Sequence, residues 1–200
     1  GNIDKLTSLN LYLGSIGHPS SGPPFVLPLT SLSLLDTTVS DPQTLSGSPS
    51  VIPFVHSLRL SHQSPSTVIP ILSQITCIVS TSALTITGLD SIVAAATSLN
   101  SLSIPARNLA QLAPRESQLV TLGVIIDNSH AHSSRELISF IRDSRSLKKV
   151  ILDGLLLIDD ERSEKATNLI KLVKAACKQE GIELWKENCK VNGQVDLDSW

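Results

Sequence analysis

The chain has 200 residues, a formal net charge of −2 and a hydrophobic content of 41%, and it contains 31 Leu and 30 Ser. So high a hydrophobic content with so little net charge excludes intrinsic disorder. Residues 1–100 carry only six charged side chains, and no cluster of Lys and Arg is present that could replace the counterions of a nucleic acid, so we expect no nucleic-acid partner.

An apolar pattern, L-x-x-L-x-L, recurs along the chain. Its second apolar position falls at residues 9, 32, 58, 102, 122 and 150, with a weaker copy at 84, where the leading apolar residue is missing. The steps between these positions run from 18 to 28 residues. Leucine-rich repeats have periods of about 20–29 residues, and each repeat supplies one short strand to a parallel sheet. The spacing therefore predicts seven stacked strands whose apolar positions share one core.

The segments between the predicted strands differ in character. Residues 14–28 and 36–53 are rich in Gly, Pro and Ser, which predicts irregular loops. A helix is possible over 68–79, and Asp90 is a plausible N-cap for a short helix over 91–97. The segment 133–136, Ser-Ser-Arg-Glu, has the capping-box spacing that opens a helix, with Leu137, Ile138 and Ile141 facing inward.

The last helix is the best defined by its periodicity. Gly181 stands just beyond it as a stop, and residues 182–185 predict a final strand. The apolar side chains at helical spacing are Ala166, Leu169, Ile170, Val173, Ala176 and Cys177. Because residues 157–200 are also highly charged, we expect them to cap the open end of the repeat array. No such cap precedes the first repeat and the chain has no Met, so we expect a longer parent protein that continues N-terminally.

The repeats resemble the leucine-rich-repeat region of fungal proteins, in particular the F-box/LRR-like proteins of basidiomycete yeasts. The resemblance is carried by Leu-Thr-Ser-Leu-Asn-Leu at 6–11, Leu-Thr-Ser-Leu-Ser-Leu at 29–34, Leu-Asn-Ser-Leu-Ser-Ile at 99–104 and the closing segment at 182–188. It implies one degenerate LRR domain over 1–200, an α/β, right-handed, horseshoe-like solenoid. The parallel sheet would line the concave face, and loops or short helices the convex face. It also implies a place in an SCF-type ubiquitin ligase, through an F-box that would precede Gly1.

No catalytic motif is present in the sequence. There is no Gly-x-Ser-x-Gly elbow, no P-loop and no dinucleotide fingerprint, so we predict no enzyme activity and no cofactor. His130 and His132 could form a zinc site with Cys177 and Cys189, but the spacing matches no familiar pattern and a polar surface turn is favoured, so we predict no metal. An odd number of cysteines, Cys77, Cys177 and Cys189, without a regular spacing indicates reduced thiols and hence the cytosol or nucleus.

The residues between the apolar positions of each repeat are expected to point to the concave face. They are mostly Ser and Thr, which either pack across strands or serve binding. Binding hot spots favour Tyr, Trp and Arg. We therefore select four residues as candidates for contact with a protein partner, namely Tyr12, Arg59, Lys149 and Asp153.

Three functions remain open at this point. The first is a protein-interaction module, with substrate recognition for a ubiquitin ligase as its narrower form. The second is a cryptic serine hydrolase, for which His56 and His62 near Asp36 would be the most plausible cluster. The third is a structural spacer. No apolar run approaches the ~18 residues that cross a bilayer, so no membrane partner is expected.

Overall fold

A computed structural model describes residues 5, 7–12, 15–16, 28–35, 38–39, 54–60, 71–80, 86–112, 118–126, 134–153, 156–157, 160–187 and 190–191. The chain folds into two compact units, Gly1–Asn100 and Ser101–Trp200. Short parallel strands dominate both units, and helices accompany them, so the fold belongs to the α/β class.

Unit 1 contains a parallel sheet in which strands adjacent in the sheet are successive repeats. Its described strands are β1 (Ser8–Tyr12), β2 (Ser15–Ile16), β3 (Ser31–Leu35), β4 (Thr38–Val39), β5 (Ser57–Leu60) and β6 (Cys77–Ser80). The main sheet runs in the order β1-β3-β5-β6, and β2 pairs with β4 separately. The register places Leu9, Leu32, Leu58 and Ile78 side by side. The strands predicted at 9, 32 and 58 are thus confirmed.

The residue before each strand joins neighbouring repeats. The Thr7 carbonyl accepts hydrogen bonds from the amides of Thr30 and Ser31, at 2.8 and 3.2 Å. The His56 carbonyl accepts in the same way from the amides of Thr76 and Cys77, at 2.9 and 3.0 Å. This repetition extends the parallel ladder by one residue at the start of each strand and holds the register.

The fourth strand differs from the prediction. It is Cys77–Ser80, with Ile78 at the central apolar position, and the next described element is helix α1 (Ile86–Ala95); residue 84, where the pattern predicts a strand, lies outside the described residues. Asp90 lies inside α1 and is not an N-cap, and the helix predicted over 68–79 is wrong in its second half. The physical reason is that the last inward position of this repeat is Ser80, fully buried but polar, so the apolar pattern is broken there.

Unit 2 has a parallel sheet of the same kind. Its described elements are β7 (Ser101–Pro105), a 3-10 helix (Ala106–Gln111), β8 (Thr121–Ile125), α2 (Ser134–Asp143), β9 (Lys149–Asp153), β10 (Leu156–Leu157), α3 (Asp160–Glu180), β11 (Glu183–Glu187) and β12 (Lys190–Val191). The main sheet runs β7-β8-β9-β11, and β10 pairs with β12. Helix α2 packs on both α3 and the 3-10 helix. The strands predicted at 102, 122, 150 and 182–185 are confirmed.

Helix α3 ends where the sequence predicts. Gly181 adopts a φ of 68°, a left-handed conformation that glycine reaches without steric cost. The Ile182 amide then donates to the Cys177 carbonyl at 2.8 Å, and the Gly181 amide to the Lys178 carbonyl at 3.4 Å. These two bonds form a Schellman motif, which ends the helix and turns the chain directly into β11.

Alternation along the strands builds the core. Leu102, Leu122, Val150 and Leu152 are completely buried, whereas the alternating positions, such as Thr121 and Ile151, remain partly exposed. Leu137 and Ile141 of α2 and Val173 and Cys177 of α3 cover the buried side, as predicted, while Ile138 is half-buried. Ser133 and the side chain of Ala166 lie outside the described residues.

Candidate functional site

The outward side of the unit 2 sheet changes in character from strand to strand. In register, Ser103, Gly123, Ile151 and Trp185 form one row across β7, β8, β9 and β11. The row before it contains Ser101, Thr121, Lys149 and Glu183. In these two rows, small side chains therefore occupy β7 and β8, and large or charged side chains occupy β9 and β11. We call Lys149, Ile151, Asp153, Glu183 and Trp185 the Trp185 surface.

Trp185 is fixed in place although 52% of it is exposed. The ammonium nitrogen of Lys149 lies 3.4 Å from the ring centroid, which makes a cation–π contact. The indole Nε1 donates a hydrogen bond to Glu183 Oε2 at 3.2 Å. Lys149 is diagonal to Trp185 across the two strands, a separation that long and aromatic side chains can bridge. The ring is thus oriented before any partner arrives.

Gly123 leaves the outward side of β8, the strand next to β9, without a side chain at this row. A Cβ at this position would lie 2.8 Å from the Cβ of Ser103 on β7, closer than real carbon atoms approach. The Ser103 side chain therefore uses the space that a side chain on β8 would need. At these two rows the outward surface stays low over β7 and β8, and the side chains of β9 and β11 stand above it.

The predicted binding residues occupy two different units. Lys149 and Asp153 lie on β9, are both half-buried and belong to the Trp185 surface. Arg59 is exposed on β5 of unit 1, and Tyr12 ends β1, with its side chain outside the described part. Trp185 was placed in the final strand by the sequence but not selected. Trp185 is in register with Ile151, the residue between the second and third apolar positions of its repeat, so extending that position to the final strand would identify Trp185.

The residues of the other predicted clusters are only partly described. His56 is exposed, and its Nδ1 donates to the Phe54 carbonyl at 3.2 Å, while Asp36 and His62 lie outside the described residues. For the zinc alternative, His130, His132 and Cys189 also lie outside them. Within the parts of the chain that the structure describes, no three His, Cys, Asp or Glu side chains come together as a metal ion would require.

Cys177 is chemically protected. It is only 1% exposed, and burial raises the pKa of its thiol from 9.0 to about 11. Desolvation disfavours the thiolate, which is the nucleophilic and metal-binding form. The side chain therefore acts as a small apolar group beneath α3.

A pocket of about 280 Å³ lies between the 3-10 helix and α2. Leu109, Leu112 and Phe140 contribute its apolar lining, and Arg135, Glu136 and Ser139 its polar lining. The Ser139 hydroxyl donates to Asp143 Oδ2 at 3.1 Å, which makes a serine–carboxylate pair. Glu136 Oε2 is buried and accepts no hydrogen bond from the described residues.

In a comparison with known proteins, no family model and no curated protein matches the chain. Among the helices described, none is both long and apolar enough to cross a membrane.

Proposed function

We propose that this chain is a protein-interaction module that binds its partner on the outward side of the sheet, with Trp185 at the centre of the contact. The observation that carries the proposal is the clamped, half-exposed indole ring between Lys149 and Glu183. Tryptophan is among the residues most enriched at binding hot spots. A ring that is already oriented loses little conformational entropy on binding, which leaves more of the contact energy for affinity.

We further propose that the strands belong to a right-handed, horseshoe-like LRR solenoid, with the outward side as its concave face. The corrected position of the fourth strand supports this. With Ile78 in place of residue 84, the step of 18 residues disappears, and the spacings around it become 20 and 24. All steps up to Val150 then fall within the usual period of about 20–29 residues. The single domain over 1–200 and the cap over 157–200 are part of the same proposal.

The narrower form of the proposal is substrate recognition for an SCF-type ubiquitin ligase, in the cytosol or nucleus. It rests on the resemblance of the repeats to basidiomycete F-box/LRR-like proteins. In such an arrangement the repeats select the substrate without chemistry of their own, and a segment ahead of Gly1 contacts the ligase. The test of this form is whether an F-box is encoded ahead of Gly1, because an F-box there would support it and another domain would contradict it.

The test of the general proposal is affinity capture from a basidiomycete extract with the wild-type chain and W185A. We expect at least one protein to be retained by the wild type and lost with W185A. Phe54→Ala is the matched control, because Phe54 is an aromatic side chain of similar exposure (58%) that does not belong to the Trp185 surface. Equal capture by wild type and W185A would contradict the proposal, and capture of no protein by either would favour the structural spacer.

A further inference from the structure

We propose that the Trp185 surface also binds a second copy of the chain, through a two-fold symmetric contact. This inference rests on the proposed function, since it uses the same surface. In a two-fold contact, if residue i of one copy touches residue j of the other, then j also touches i. A surface can pair with itself in this way only if it contains both halves of each complementary pair.

Among the charged groups of the Trp185 surface, Lys149 and Glu183 form such a complementary pair, whereas Asp153 lies at the far end of β9. Lys149 and Glu183 lie directly opposite each other on adjacent strands and carry opposite charges. When the surface is rotated by 180° onto itself, Lys149 of each copy can face Glu183 of the other. The contact then contains two attractive pairs and no unmatched charge among these four groups.

The same 180° rotation would also bring the apolar groups of the two copies together. Trp185 is directly opposite Ile151 in the register, and both lie on the outward side beside the charged pair. Aromatic side chains are enriched in the cores of protein–protein interfaces. The small residues in the same row, Gly123 on β8 and Ser103 on β7, leave room for a second copy to approach the ring.

Pairing of the surface is favoured over pairing of strand edges. Strand β11 is the last strand of the unit 2 sheet, and two copies could in principle join edge to edge. An antiparallel pair centred on Trp185 would set Glu183 opposite Glu187 at both ends of the strand. Like charges directly opposite each other destabilise a strand pair. Glu183 therefore opposes edge association, where it would face another glutamate, and favours contact through the outward side, where it would face Lys149.

The test is a charge-swap experiment on the whole chain, read by analytical ultracentrifugation. Because the surface is small, we expect a dissociation constant of about 10 µM to 1 mM for the wild type. K149E and E183K should each weaken self-association at least about ten-fold, because each sets like charges against one another. A mixture of K149E with E183K should restore the dimer, since one chain then presents two negative groups and the other two positive groups.

The control is K174E, a charge reversal at an exposed position on α3, which should leave self-association unchanged. Restoration in the mixture also shows that both variants are folded. A wild type that stays monomeric at about 1 mM would overturn the inference, as would self-association that K149E and E183K do not affect. Either result leaves the proposed function intact if capture of another protein still depends on Trp185, so the two proposals fail separately.

Discussion

The ammonium group of Lys149 lies over the ring of Trp185, 3.4 Å from its centroid, although the residue directly opposite Trp185 is Ile151. The long lysine side chain therefore reaches diagonally across the strand pair. This contact determines how an exposed aromatic residue is presented to solvent, and its removal can be observed directly.

Replacing Lys149 by Met should loosen the Trp185 ring. The cation–π contact at an exposed site contributes about 0.5–1 kcal/mol, so the free energy of unfolding should fall by about that amount. The chain has two tryptophans, so Trp200→Phe is used as the background and Trp185 fluorescence is read alone. We expect stronger quenching by acrylamide in K149M at low protein concentration. Lys148→Met, which changes an exposed neighbouring residue, should not alter quenching. Equal quenching in both variants would show that the Lys149 contact does not hold the ring in place.

Gly123→Ala should destabilise unit 2. The new Cβ would lie 2.8 Å from the Ser103 Cβ, so the two strands must shift apart, at a cost of about 1–3 kcal/mol. Urea denaturation of G123A, of S103G and of the double variant forms a cycle that isolates this pair. If the contact is responsible, the double variant should be more stable than the sum of the two single changes predicts. Simple additivity would show that the glycine is needed for another reason.

The parallel strands and their register could be predicted because the Leu residues of each repeat fall at the inward positions of its strand. Leu32, Leu58, Leu102 and Leu122 fall where the spacing places them. The strand at Cys77–Ser80 was missed because Ser80 takes an inward position where an apolar residue is expected. A single buried hydroxyl was enough to shift the predicted strand to residue 84.

The candidate site could be predicted only in part. The alternation along β9 placed Lys149 and Asp153 on the outward side, which is confirmed. The importance of Trp185 could not be inferred from the repeat, because its strand lacks the L-x-x-L-x-L pattern and follows a long helix. Its position beside Lys149 depends on the parallel pairing of β11 with β9, a contact between residues 34 positions apart that a local pattern does not contain.

Inward and outward positions of one strand should respond very differently to truncation. Leu58→Ala removes a completely buried side chain and should cost about 2–5 kcal/mol of the free energy of unfolding. Ser57→Ala, on the adjacent and half-exposed position, should change it by less than about 0.5 kcal/mol. Leu122→Ala and Thr121→Ala provide the same comparison in unit 2. Chemical denaturation of the four variants gives the values, and a large loss for Ser57→Ala would contradict the assigned sides of the sheet.

Stability should depend on Cys177 at alkaline pH. The thiol ionises with a pKa of 9.0 when it is unconstrained and about 11 in the folded chain, so between these values the unfolded state has lost the proton and the folded state retains it. The unfolded state therefore binds fewer protons, and the free energy of unfolding must decrease as the pH rises from about 9 to 11. The full shift corresponds to about 1–3 kcal/mol. Below pH 9 both states hold the proton and the contribution is constant.

The measurement is urea denaturation of wild type and Cys177→Ala at several pH values between 7 and 11. Other groups titrate in this range, so the difference between the two proteins isolates the thiol. We expect the advantage of the wild type to be constant up to about pH 9 and then to shrink. Labelling with iodoacetamide provides a second readout, because a thiol that stays protonated and buried should react only after unfolding. Because the chain has three cysteines, the label is located by peptide mass. A pH-independent difference, together with rapid labelling of Cys177 in the folded chain, would show that Cys177 is not held in an apolar environment.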